Sequence, residues 1–92
     1  MPNRLVVTFN VLPGRADEFI AAWRERLAEV HAEPGCDQYE LFRSVDRPDV
    51  VVLLELWSSP ETLQGHAEMN QKRTPVGREL IDGRPVVERY EA

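Results

Sequence analysis

Residues Val50–Trp57 (VVVLLELW) are apolar at every position except Glu55. The run is bounded by Asp46-Arg47-Pro48-Asp49 on one side and Ser58-Ser59-Pro60 on the other, both of them turn or helix-start chemistry. A short continuous apolar run between such signals is a buried strand. Side chains alternate along a strand, so Val51, Leu53 and Trp57 point to one face and Val50, Val52, Leu54 and Leu56 to the other. Both faces need a cover. Helices packed on the sheet supply one, and a second copy of the chain is the simplest cover for the other.

The rest of the chain supplies partners for this strand. Arg4–Val11 (RLVVTFNV) is β-branched and aromatic, which suits a strand, and Pro13-Gly14 ends it. From Arg15 to Glu33, Phe19, Ile20, Trp23, Leu27 and Val30 recur at helical spacing until Glu33-Pro34-Gly35 stops the pattern. Asp37–Ser44 alternates weakly and forms a hairpin with Val50–Trp57. Ser59 is placed to cap a second helix, with Pro60 at its first position and Glu61 near its positive end. That helix is expected to run to about Arg73, before Thr74-Pro75. A short helical piece at Val76–Ile81, a turn at Asp82-Gly83 and a last strand at Pro85–Tyr90 complete the chain. The order β-α-β-β-α-β predicts an α+β, ferredoxin-like domain over residues 1–92, an antiparallel sheet with both helices on one face.

Composition narrows the function. A formal charge of −5, with sixteen acidic and eleven scattered basic residues, disfavours nucleic acid and anionic membrane. The single Cys36 excludes an intramolecular disulfide and a CxxC pair, and points to a reducing, cytoplasmic setting. No apolar run is long enough for a signal peptide or a membrane span. Dinucleotide and phosphate loops are absent, as are HxxxH and paired-carboxylate metal spacings, so neither cofactor nor metal is expected.

Three elements occur in order: Pro13-Gly14 with Phe19 and Trp23; Glu33-Pro34-Gly35-Cys36-x-x-Tyr39; and Glu55-x-Trp57-x-Ser59-x-Glu61-x-Leu63-x-x-His66. In these the chain resembles the antibiotic biosynthesis monooxygenase superfamily, the dimeric α+β barrels. The resemblance implies a homodimer with a small pocket between helices and sheet in each subunit. It also implies a cofactor-independent monooxygenase acting on a small electron-rich aromatic, of the phenol or hydroquinone class. A non-catalytic dimeric small-molecule-binding module and an isomerase of a small carbonyl compound remain the alternatives. The haem-degrading relatives carry a tryptophan, an axial histidine and an asparagine where this chain has His66, Val76 and Val7, so a haem-degrading role is not expected.

His66 is the expected catalytic base. On the second helix Leu63, His66, Ala67 and Asn70 share one face, and Leu63 and Ala67 turn that face inward. A histidine there titrates near neutrality and can take a phenolic proton. Trp23, Tyr39, Trp57, Leu63 and Asn70 are the expected substrate contacts, the aromatics as flat walls. Of these Tyr39 is the weaker candidate, as is Asn10 beside them, since either side chain could face the barrel instead. His31 is expected to complement the end of the first helix, Cys36 to be unreactive, and Glu55 to need a partner if buried.

Overall fold

A computed structural model describes Met1–Ala92. Its strands are β1 (Asn3–Asn10), β2 (Cys36–Arg43), β3 (Val50–Trp57) and β4 (Val86–Glu91), and its helices are α1 (Ala16–His31) and α2 (Pro60–Asn70). A single 3₁₀ turn, Arg78–Leu80, precedes β4. The sheet order is β2-β3-β1-β4 and every pairing is antiparallel, which is the ferredoxin-like arrangement. The apolar run is central, flanked by β1 and β2. No helix is long and apolar enough to cross a membrane.

Along β3 the two faces differ as alternation requires. Val51, Leu53, Glu55 and Trp57 are buried beneath the helices, and Val52, Leu54 and Leu56 on the opposite face are half-buried. Val50 departs from this pattern and is buried. On the face away from the helices the ladder sets Val6 beside Leu54 and Phe42 beside Val52. Phe42, Val86 and Tyr90 are about half exposed. This is an apolar surface with nothing from its own chain over it.

The core on the helix side is an aromatic stack. Phe9, Phe19 and Trp23 lie 5.1 to 6.3 Å apart between ring centroids, and Tyr39 follows at 6.4 Å from Trp23. Phe19, Trp23 and Val30 form the buried stripe of α1 at helical spacing.

Two local devices position α2. Ser59 Oγ accepts from Thr62 N while Thr62 Oγ1 accepts from Ser59 N, each at 3.2 Å, a reciprocal cap with threonine in the role usually held by Glu or Gln. Gly35, at φ +77°, lets the α1–β2 turn press against this cap: a Cβ there would lie 2.5 Å from the Thr62 side chain. Its carbonyl accepts from Ser58 N at 2.9 Å. The α1–β2 turn and the first turns of α2 are thereby locked together. The second helix ends at Asn70, three residues before the expected Arg73, and Arg73 is left free to turn back toward α1.

Candidate functional site

His66 and Leu63 are the buried residues of α2, while Ala67 and Asn70 are exposed at its edge. The inward face of this helix is narrower than its pattern suggests. The imidazole of His66 lies over the indole of Trp57, with centroids 4.6 Å apart and planes 27° apart, and Tyr39 meets it edge-on at 5.6 Å. Trp57 is completely buried beneath this ring.

The partner of His66 is a carboxylate just past the end of α1. Its Nδ1 lies 3.0 Å from Glu33 Oε1, and Arg73 Nη1 donates to Glu33 Oε2 at 2.6 Å. A carboxylate only accepts, so Nδ1 carries the proton and Nε2 of the neutral ring is the free basic nitrogen. Arg73 balances the charge of Glu33 in this buried position. Nε2 in turn lies 4.0 Å from Glu55 Oε1, which accepts from Trp57 Nε1 at 3.0 Å. One line of groups thus runs from Arg73 through Glu33 and His66 to Glu55.

This line ends in a cavity of about 360 Å³ between helices and sheet, within the size range of small-ligand sites. Trp23, Tyr39, Glu55, His66 and Asn70 line it, so four of the six expected site residues meet there: Trp23, Tyr39, His66 and Asn70. Leu63 joins His66 and Asn70 in an adjoining hollow of about 410 Å³. Trp57 lines neither and supports His66 from below. Asn10 is exposed at the end of β1. A depression of similar size at Met1, Pro60 and Arg89 has only the exposed Glu91 as a carboxylate.

Burial shapes the electrostatics. It raises the pKa of Glu55, opposed by the Trp57 hydrogen bond and the nearby His66. Burial and then the charge of Glu55 raise that of Tyr39, which stays a neutral phenol. The Cys36 thiol is pushed up to about 11 by burial and by Glu33, which suits an unreactive cysteine.

The raised Glu55 has a measurable consequence. The folded state holds this proton more tightly than the unfolded chain, so its contribution to stability is full below the ordinary value of 4.5 and is lost as pH rises through the folded pKa. Glu55→Gln keeps an acceptor for Trp57 and removes that loss. Urea unfolding below pH 4.5 and at neutrality is expected to show a smaller decline for the variant than for the wild type.

Glu33 entered the sequence reading as a helix stop and a motif position and Arg73 as a helix end, and neither was given a role at the site. One signal existed: Glu33 follows the C-terminus of α1, where a cation rather than an anion is favoured, so an acid there needs another reason. The contact with His66 spans 33 positions in the chain, and no local pattern reports it.

Fold and site together define a class: a ferredoxin-like α+β domain whose helix–sheet cavity holds a histidine oriented by a buried carboxylate. A family model described as antibiotic biosynthesis monooxygenase matches residues 2–73, and the chain belongs to that family. It is 30% identical over 73 residues, 77% of each chain, to a Bacillus subtilis protein named "Putative monooxygenase YcnE". The solved structure of Rv0793 from Mycobacterium tuberculosis superimposes with a TM-score of 0.83 at 25% identity, covering 100% of this chain and 95% of that one. A structure from Nitrosomonas europaea reaches 0.85 over 99% and 89% of the two chains, and at 19% identity that likeness bears on the fold alone.

Proposed function

We propose that this protein is a cofactor-independent monooxygenase of a small electron-rich aromatic, of the phenol or hydroquinone class, with His66 as its base. The observation that carries this reading is the anchoring of His66: Glu33 holds Nδ1 and leaves Nε2 as the free basic atom beside an aromatic-walled cavity. Trp23 and Tyr39 give flat walls for a ring, with Leu63 and Asn70 at the α2 side. Trp57 holds the imidazole plane. Removal of a phenolic proton by Nε2 leaves an electron-rich phenolate that reduces oxygen directly. For a hydroquinone the balance is one O₂ consumed, one oxygen atom retained in a hydroxyquinone and the other released as water. The substrate supplies all the electrons.

The test is oxygen uptake by the purified chain with a panel of hydroquinones and phenols and no added cofactor. Uptake matched to hydroxyquinone formation is expected. Rates no higher than those without protein, across the panel, would overturn the reading. The proximity of Glu55 to His66 also suits an isomerase of a small carbonyl compound, since two proton carriers can serve two carbons. In that case substrate is converted and no oxygen is consumed.

The working form is proposed to be a homodimer. The uncovered apolar face of Val6, Phe42, Val52 and Leu54 supports this, and a second copy of the chain would bury it. Light scattering is expected to give twice the 10.6 kDa chain mass, and Leu54→Glu is expected to shift the protein to monomer. A wild type that runs as a monomer would remove the idea. A reducing, cytoplasmic setting is part of the same proposal, and the single unpaired Cys36 supports it.

A further inference from the structure

The cavity holds a second proton carrier. Glu55 Oε1 is occupied by the Trp57 indole, but Oε2 has no hydrogen bond of its own in the chain. The sealed side-chain atoms without partners are Trp23 Nε1 and Arg26 Nε, so His66 Nε2 and Glu55 Oε2 both keep access to the cavity. The 4.0 Å between Nε2 and Oε1 is too long for a direct hydrogen bond, and it leaves room for one oxygen atom that bonds to Nε2 on one side and to the free oxygen of the Glu55 carboxyl on the other.

We propose that Glu55 is the general acid of the site and works on the oxygen that bridges it and His66. The proposal rests on the oxygenase reading for its chemistry. Once oxygen has added to the ring, the phenolic proton held on His66 passes to the peroxide oxygen, which leaves Nε2 free again and gives a ring hydroperoxide that must lose water. His66 Nε2 takes the proton from the ring carbon, and the C–H electron pair forms the C=O bond. The O–O bond breaks, its electron pair leaves with the distal oxygen, and Glu55 supplies the proton that makes this oxygen water. The proton on His66 then passes to the Glu55 carboxylate through a bridging water, and both groups return to their starting states.

Burial is the largest influence on this carboxyl and favours the acid, against the Trp57 hydrogen bond and His66. Glu55 sits opposite the neutral Tyr39 on β2 and opposite Leu5 on β1. The same cavity is lined by His66 from α2, by Arg26 from α1 and by Arg78, whose positive charges work against the acid form. Glu33, whose charge raises the Glu55 pKa further, is held away by Arg73 behind the imidazole.

Two measurements on the full chain test this. The first needs no substrate: carbon-13 NMR of labelled glutamate side chains. One carboxyl is expected to titrate above the others, to vanish in Glu55→Gln and to move in His66→Asn. A Glu55 signal that titrates with the exposed carboxylates would overturn the proposal whether or not oxygen is consumed. The second is turnover of Glu55→Gln, which keeps the acceptor for Trp57. With hydroquinone, kcat is expected to fall about a hundredfold at unchanged KM, with loss of the alkaline limb of the kcat profile and release of hydrogen peroxide. A variant within twofold of the wild type, or one that keeps the limb, would overturn the role of Glu55 and leave His66 as the base. No uptake by the wild type would instead refute the oxygenase reading, and the NMR titration then decides the state of Glu55 by itself.

Discussion

His66→Asn is expected to lower the rate of oxygen uptake by about 10²- to 10⁴-fold while leaving the fold in place. The reasoning is geometric. An asparagine amide nitrogen reaches nearly the position of Nδ1 and can still donate to Glu33, so the buried carboxylate and Arg73 keep their partners. What the variant lacks is the basic nitrogen at the Nε2 position, the atom that meets the cavity. Thermal unfolding within a few degrees of the wild type, together with the fall in rate, separates a proton-transfer role from a packing role. Full activity in a folded His66→Asn would end the assignment of His66 as base. A large fall in stability would show that the imidazole serves mainly to fill the space over Trp57, where the rings now lie 4.6 Å apart.

Glu33→Ala is expected to act in the opposite way, through stability first. Glu33 is buried and joins two elements, accepting from His66 on α2 and from Arg73 beyond its end. Removing one member of a buried, hydrogen-bonded charge pair leaves the other charge without compensation, a loss of roughly 3–5 kcal/mol. The Arg73 guanidinium, largely buried, is the group left stranded, and its remaining neighbour Glu29 is 4.0 Å away and half exposed. Denaturant unfolding of the single variants and of Glu33→Ala with Arg73→Met measures this. The double variant is expected to recover part of the loss, because no charge remains to be buried. If Glu33→Ala unfolds within about 1 kcal/mol of the wild type, the carboxylate is not structurally important, and its effect on His66 is then read from the rate alone.

The site is built from residues whose roles differ in how far along the chain their reasons lie. Trp23 and His66 were legible as inward-facing residues because periodicity is local and a helix repeats every 3.6 residues, whereas the weak alternation of β2 left the facing of Tyr39 open until the structure showed it buried. Asn70 lies at the cavity edge rather than inside it, since α2 is amphipathic over only a narrow stripe around Leu63 and His66. Trp57 was legible as buried, and its place under the imidazole depends on how α2 crosses β3, which no spacing in either element specifies. Glu55 was visible as a polar break in an apolar run. Its neighbours Trp57 and His66, and hence the burial that raises its pKa, come from packing.

The order of elements, the central position of the apolar strand and the start of α2 were determined by the sequence alone. Each follows from interactions within a few residues: alternation along Val50–Trp57, turn chemistry around it, and the Ser59–Thr62 cap. The tertiary structure alone decided that Glu33 meets His66. That contact exists because Gly35 has no Cβ to hold the α1–β2 turn away from Thr62, and because α2 stops early enough for Arg73 to return to Glu33. A hydrogen bond across 33 residues carries no periodic signature, since its partners are brought together by the packing of two elements and not by the geometry of either one. The proton on Nδ1, the free Nε2 and the chemistry proposed for it all depend on that one long-range contact.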